Sequence, residues 1–206
     1  MAKSRILVLY YSMYGNVFRM ANEVVSGIKE VESAEPVLKQ VPDLLPEKLI
    51  QENQDIKKAK ELQKDVPVAK VDDLRNCDGL IVGSPTRFGN MCAQVRNFFD
   101  QTGQIWQEGA LIDKPAGIFT STATLHGGQE TTIVSVMFTL IHHGMIILGV
   151  PYSVKELLTT KTGGTPYGPS HVAGLGFTPL SEEEIIISRV LGKRVAEVAV
   201  KLKRNV

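Results

Sequence analysis

Behind Arg5, the apolar run Ile6-Leu-Val-Leu-Tyr-Tyr11 continues without alternation and stops at the polar loop Ser12-Met-Tyr-Gly-Asn-Val17. Such an unbroken run predicts a strand buried on both faces. After the loop, Val17, Met20, Ala21, Val24, Val25 and Ile28 recur at helical spacing and predict an amphipathic helix packed on the sheet. Pro36–Val41 predicts a second strand, closed by Pro42 and Pro46. Glu47–Lys64 is rich in Lys, Glu and Gln, with only Leu49, Ile50, Ile56, Ala59 and Leu62 to anchor it, and is expected as a partly helical polar surface insertion. Gly79–Gly83, Ala116–Thr120 and Met145–Leu148 predict three further strands, separated by helices over Met91–Gln101 and Gln129–His143. Gly149–Pro179 is too rich in Gly and Pro for regular structure and long enough to be a functional loop. Ser181 and Glu184 then form a capping box that opens a last helix, whose core stripe is Ile187, Leu191, Val195, Val198 and Leu202.

Buried strands joined by helical crossovers imply an α/β fold: a doubly wound, five-stranded parallel sheet with helices on both faces. Ligands of such sheets bind beyond the carboxyl ends of the strands. Three loops there are rich in hydroxyl, amide and glycine: Ser12–Val17, Ser84–Asn90 and Ser121–Gly128. In a strand order of 2-1-3-4-5 they would surround one crevice. The first ends at a helix N-terminus, which binds anions, yet it has neither the Gly-x-Gly-x-x-Gly nor the Gly-x-x-x-x-Gly-Lys-Ser/Thr pattern. Helix N–H groups, the hydroxyls of Ser12 and Tyr14, and the Asn16 amide suit a phosphate monoester dianion, and FMN fits that description. The competing reading is an ordinary N-cap at Asn16 or Ser12.

Composition narrows the class. The 206 residues and 43% hydrophobic content suit a single domain spanning 1–206. The net charge of +1, from 23 basic and 22 acidic side chains, offers no basic field for nucleic acid or anionic membranes. Cys77 and Cys92 form no Cys-x-x-Cys and no metal-ligand spacing, so neither a disulfide framework nor a metal site is expected. The apolar stretch after Lys3 and Arg5 is too short for a signal peptide, and no segment is long enough to insert in a membrane, so a cytoplasmic protein is expected. Tyr10, Tyr11 and Ser12 stand where a receiver domain needs carboxylates. Counting Cys-x5-Arg from Cys77 or Cys92 reaches Gly83 or Phe98, and no Gly-x-Ser-x-Gly elbow surrounds Ser84 or Ser121.

Five blocks occur in order over nearly the whole chain. They are Tyr11–Asn16, Pro85–Met91, Ser121-Thr122 closing on Gly127–Thr131, His142–Met145, and Gly163–Gly168. Together they resemble the WrbA-type NAD(P)H:quinone oxidoreductases. The resemblance implies a flavodoxin-like fold, non-covalent FMN, two-electron reduction of quinones by NADH or NADPH, and a homotetramer built from dimers. Two departures stand out: Ala123 replaces a glycine common in the family, and Glu47–Lys64 is longer than the family pattern.

By this resemblance, Ser12, Met13, Tyr14, Gly15, Asn16 and Val17 hold the phosphate, and Pro85, Thr86, Arg87, Phe88, Gly89 and Asn90 hold the isoalloxazine ring. Ser121, Thr122, Ala123, Thr124 and Leu125 serve the far side of the ring and the ribityl chain. His143 matches a catalytic and cofactor-contacting position, against the reading of both His142 and His143 as helix C-terminal dipole partners. Trp106 matches the family's substrate-pocket tryptophan; with Tyr14, Phe88 and Tyr152 it is a candidate to stack a quinone or nicotinamide, although core or interface packing is the usual fate of such aromatics. The expected mechanism is ping-pong hydride transfer through one slot. The alternatives are a flavodoxin-type electron carrier, disfavoured by the balanced charge, and a non-catalytic binding module, which would leave the three polar loops incidental.

Overall fold

The computed structural model describes residues 2–174 and 178–203; the part of Gly149–Pro179 at 175–177 lies outside them. In chain order the elements are β1 (Ser4–Tyr10), α1 (Asn16–Lys29), β2 (Ala34–Gln40), α2 (Glu47–Glu52), α3 (Gln54–Leu62), β3 (Gly79–Arg87), β4 (Asn90–Met91), α4 (Ala93–Asp100), α5 (Gly103–Gln107), β5 (Pro115–Thr122), α6 (Gln129–His142), β6 (Ile146–Ile147), α7 (Glu156–Thr159), β7 (Ser170–Val172) and α8 (Glu182–Lys203).

Successive strand side chains point to opposite faces, and β1 serves two cores in this way. Ile6, Val8 and Tyr10 pack with Val17, Met20, Val24 and Ile28 of α1 and with Ile187, Leu191 and Val195 of α8. Leu7 and Leu9 pack with Val95 and Phe98 of α4 and with Ile133, Val136 and Leu140 of α6. Each such side chain contributes about 1.5–3 kcal/mol on burial, which is why the strand carries no polar face.

The sheet path is β2-β1-β3-β5-β6, and all these pairings are parallel. This is the expected 2-1-3-4-5 order for the principal strands. Seven strands form among the described residues, for two local reasons. Asn90 and Met91 fold back antiparallel on Arg87 and Thr86, so the helix expected from Met91 starts at Ala93. The edge strand is also split: β6 pairs with Pro115 and Ala116, whereas β7 pairs with Thr120 to Thr122, 23 or more positions further along the chain than β6. Between them the chain makes an excursion that carries α7 and returns along Ile118, where Gly168 lies so close to the Ile118 carbonyl that a Cβ would collide with it. The segment expected as wholly irregular therefore holds a helix and a strand, each too short to show a period.

The polar stretch Glu47–Lys64 forms α2 and α3, and α3 is tied into the body of the protein. Asn53 caps it by accepting from Asp55 N (3.0 Å) and Ile56 N (3.1 Å), and Ile56 and Ala59 are buried. Lys60 pairs with Asp43, which also accepts from the Tyr11 hydroxyl at 3.1 Å. Among the described residues, no helix is long and apolar enough to cross a membrane, and no group of three His, Cys, Asp or Glu could hold a metal ion.

Candidate functional site

Because the principal strands are parallel, the segments after β1, β2, β3, β5 and β7 all emerge at one rim. They enclose a cavity of about 760 Å³, within the range of small-molecule and cofactor sites.

The loop after β1 supplies its anion end. Gly15 precedes α1 with φ 84°, a left-handed conformation that favours glycine, and α1 has no side-chain cap and no acidic residue in its first turn. The first-turn N–H groups therefore lack internal partners, and Asn16 and Val17 of that turn line the cavity. Ser12 is 2% exposed and its hydroxyl has no protein partner, although it lines the cavity. A buried orphan hydroxyl beside an uncapped helix start fits the phosphate of FMN. Asn16 lines the same cavity while its amide oxygen accepts from Arg19.

The second loop is a hairpin. Thr86 and Arg87 pair with Met91 and Asn90 across Phe88 and Gly89, both of positive φ (54° and 77°), the signature of a type I′ turn. Phenylalanine is an unfavourable first residue there, costing about 1–2 kcal/mol over glycine, and its ring projects fully into solvent. The hairpin is fastened to α6: Thr132 Oγ1 donates to Thr86 Oγ1 (2.8 Å), and Met91 N donates to Ser135 Oγ (3.0 Å). Gly128, with φ 92°, stands where a Cβ would approach Gly89 Cα to 2.9 Å, so glycine lets the second and third loops touch. Beneath them, buried Ser84 accepts from Cys92 N (3.0 Å), and Thr120 Oγ1 donates to the Ser84 carbonyl (2.7 Å).

The cavity brings together eleven of the residues expected at the cofactor: Ser12, Met13, Tyr14, Asn16 and Val17 from the first loop, Pro85, Thr86 and Arg87 from the second, and Ser121, Thr122 and Ala123 from the third. Gly15, Phe88, Gly89, Asn90, Thr124 and Leu125 belong to the same loops without lining it. Sequence reasoning missed Asn53, Asp55, Lys58, Ala59 and Leu62 of the α3 segment, and Ala173 and Gly174 after β7, which also line it. The Asn53 cap and the spacing of Ile56 and Ala59 were the available signal for α3. Nothing local marks Ala173 and Gly174.

Trp106 and His143 lie elsewhere in the chain. They line a second cavity of about 480 Å³ with Phe99, Thr102, Phe138 and His142, between α4, α5 and the end of α6. His143 is buried there, and its Nε2 lies 3.0 Å from Thr102 Oγ1. The Thr102 hydroxyl donates its one proton to Phe99 O at 2.6 Å, so its oxygen accepts from His143 Nε2–H. That network assigns the Nε2–H tautomer and leaves Nδ1 as a buried lone pair with no protein partner. Burial, and secondarily the neighbouring His142, lower the pKa of His143 and favour the neutral ring. Tyr152 is exposed on the excursion between β6 and β7. Cys77 and Cys92 are buried and unbridged, and burial pushes the Cys77 thiol up to about 11.

Residues 4–156 match the family model of NADPH-dependent FMN reductase. An NAD(P)H dehydrogenase (quinone) of Aromatoleum aromaticum is 46% identical over 98% of this chain and 98% of its own length, and one of Geotalea daltonii is 47% identical over 96% and 98%. Among solved structures, a flavodoxin, WrbA-like protein of Agrobacterium tumefaciens superposes with a TM-score of 0.66 at 23% identity, covering 97% of this chain and 99% of its own. An archaeal flavodoxin gives 0.60 at 16% identity, over 95% and 99%. The likeness in fold and the end-to-end likeness in sequence agree, and this chain belongs to the WrbA-type NAD(P)H:quinone oxidoreductases, within the NADPH-dependent FMN reductase family.

Proposed function

We propose that this protein is an FMN-dependent NAD(P)H dehydrogenase (quinone), a single FMN-binding domain that passes two electrons from NADH or NADPH to a quinone. One observation carries this reading: an uncapped helix start with an orphan buried hydroxyl opens into a cavity of about 760 Å³ that unites all three polar loops. Ser12 and the first-turn amides of α1 hold the phosphate, and Gly15 serves by its backbone. Thr86, Arg87, Ser121, Thr122 and Ala123 flank the ring, with Phe88, Gly89, Asn90, Thr124 and Leu125 at its outer edge. FMN, when bound, supplies the hydride-accepting and electron-delivering chemistry. The chain's residues bind and orient it and donate to its polar edge.

The second cavity enters through assembly. Trp106 and Phe138, which line it, are exposed, as are Ile112, Ile141 and Ile146 in the neighbouring segments, and exposed large apolar side chains of this kind suit an interface. The reading is a homotetramer in which these side chains form an interface, bringing Trp106 and neutral His143 of one copy towards the flavin cavity of another, with Phe88 and Tyr152 completing the slot. Light scattering is expected to give four copies per particle, and Phe138→Glu to dissociate them. A monomer with full quinone turnover would overturn this arrangement. The two unbridged buried cysteines suit a reducing, cytoplasmic setting.

Steady-state kinetics test the activity. Double-reciprocal plots of NAD(P)H oxidation at several fixed quinone concentrations are expected to be parallel, and intersecting lines would exclude one shared slot. Trp106→Ala and His143→Ala are expected to keep bound FMN and to lower kcat/KM by about 10-fold or more. FMN without quinone turnover would instead favour the electron carrier.

A further inference from the structure

The helix that the sequence presents as a polar insertion lies directly on the phosphate loop. Asp55, Lys58, Ala59 and Leu62 of α3 are spaced so that they share one helix face, and all four line the cavity. The Cβ of Ala59 lies 3.7 Å from where a Cβ on Gly15 would stand, which puts α3 in van der Waals range of the turn that starts α1. Gln63 locks the contact. It is 1% exposed, and its Nε2 donates to Ser12 O (3.3 Å) and to Ala59 O (2.7 Å). Its Oε1 is buried without a partner, as is the Ser12 hydroxyl.

Lys58 is next to Ala59 and lines the same cavity as Ser12, Asn16 and Val17, and its charge sits on a flexible four-carbon stem. Lys48, Lys60 and Lys64 around it each hold a carboxylate, Glu52, Asp43 and Glu61 respectively, whereas Lys58 enters no ion pair among the described residues. The other charged groups of the cavity are Asp55, one turn away on α3, and Arg87. Arg87 is turned to Thr86 O (2.8 Å) and Met13 Sδ (3.5 Å). Lys58 is thus an ammonium group on a wall held against the anion end of the cavity, with no carboxylate bound to it.

We propose that Lys58 is a phosphate-binding residue of this chain, carried to the cofactor's anionic end by the docking of α3 on the Ser12 loop. This rests on the cavity being the FMN site. The reaction needs no step from Lys58; its contribution is cofactor retention, screened by salt because the group is exposed.

The test is fluorescence titration of the apoprotein with FMN and with riboflavin, which lacks the phosphate. Lys58→Gln is expected to weaken FMN about 5-fold at low salt, with the loss disappearing in 1 M salt, and to leave riboflavin unchanged. Lys58→Arg is expected to restore FMN affinity, and Lys57→Gln, the same charge change on the adjacent residue, to have no effect. Equal losses for FMN and riboflavin, or no loss for either, would overturn the proposal while leaving the FMN site intact. Failure of the wild-type apoprotein to bind FMN would remove the reading of the cavity itself, and the proposal with it.

Discussion

Ser12→Asp is expected to abolish FMN binding, weakening it by about 1000-fold or more, while the protein stays folded. Ser12 is 2% exposed, lines the cavity, and has a hydroxyl that no protein group satisfies. Ser12→Ala removes one donor to a charged acceptor, worth about 1.5–3 kcal/mol, or roughly 10- to 100-fold in affinity. Ser12→Asp adds repulsion from the phosphate dianion of about 4 kcal/mol per charge pair at about 4 Å in a medium of intermediate polarity. The core lies beneath this loop, in Ile6, Val8 and Tyr10 against α1 and α8, so the circular-dichroism melt should remain cooperative. Titration of both variants decides the matter. Aspartate binding FMN within 10-fold of the wild type would show that the phosphate sits elsewhere.

Removing the Glu184 carboxylate is expected to cost about 3–5 kcal/mol of stability, the usual penalty for breaking a buried pair by deleting one partner. Glu184 is 1% exposed and accepts from His171 Nδ1 (2.8 Å), Gly163 N (2.9 Å), Val172 N (3.1 Å) and Ser181 N (2.9 Å). One carboxylate therefore ties the excursion after β6, the strand β7 and the start of α8 together. Glu184→Ala leaves those donors buried without an acceptor. For a chain of this size the melting temperature should fall by roughly 10 °C. Burial alone would raise the pKa of Glu184, but the hydrogen bonds from His171, Ser181 N and Val172 N outweigh it and hold the carboxyl below its ordinary value. With a depressed folded-state pKa, the stabilisation is complete above the ordinary carboxylate value of about 4.3 and is lost as pH falls through the folded value. The gap in melting temperature between wild type and Glu184→Gln should accordingly narrow on acidification. A gap independent of pH would refute the charged role.

Much of the fold was legible because its signals are local. The unbroken run to Tyr11 marks a strand covered on both faces, and the spacing from Val17 to Ile28 marks the helix that covers one of them. The hydroxyl-rich loops at 12–17, 85–90 and 121–125 follow strands whose parallel order sends them to one rim. The first loop pointed to a phosphate ligand such as FMN, whereas the reaction came from the family resemblance, which no periodicity encodes.

The sequence by itself determined the principal strands, the uncapped start of α1 and the three hydroxyl-rich loops, since each depends on residues within a turn or two of one another. Only the tertiary structure decided that α3 walls the cavity, because its docking depends on Gln63 meeting Ser12, fifty-one positions away. Only it decided that Ser170–Val172 completes the edge strand, because backbone pairing with Thr120–Thr122 needs no side-chain pattern. And only it separated Trp106 and His143 from the cavity at the strand ends, because α5 and the end of α6 meet on a face that residue spacing cannot locate.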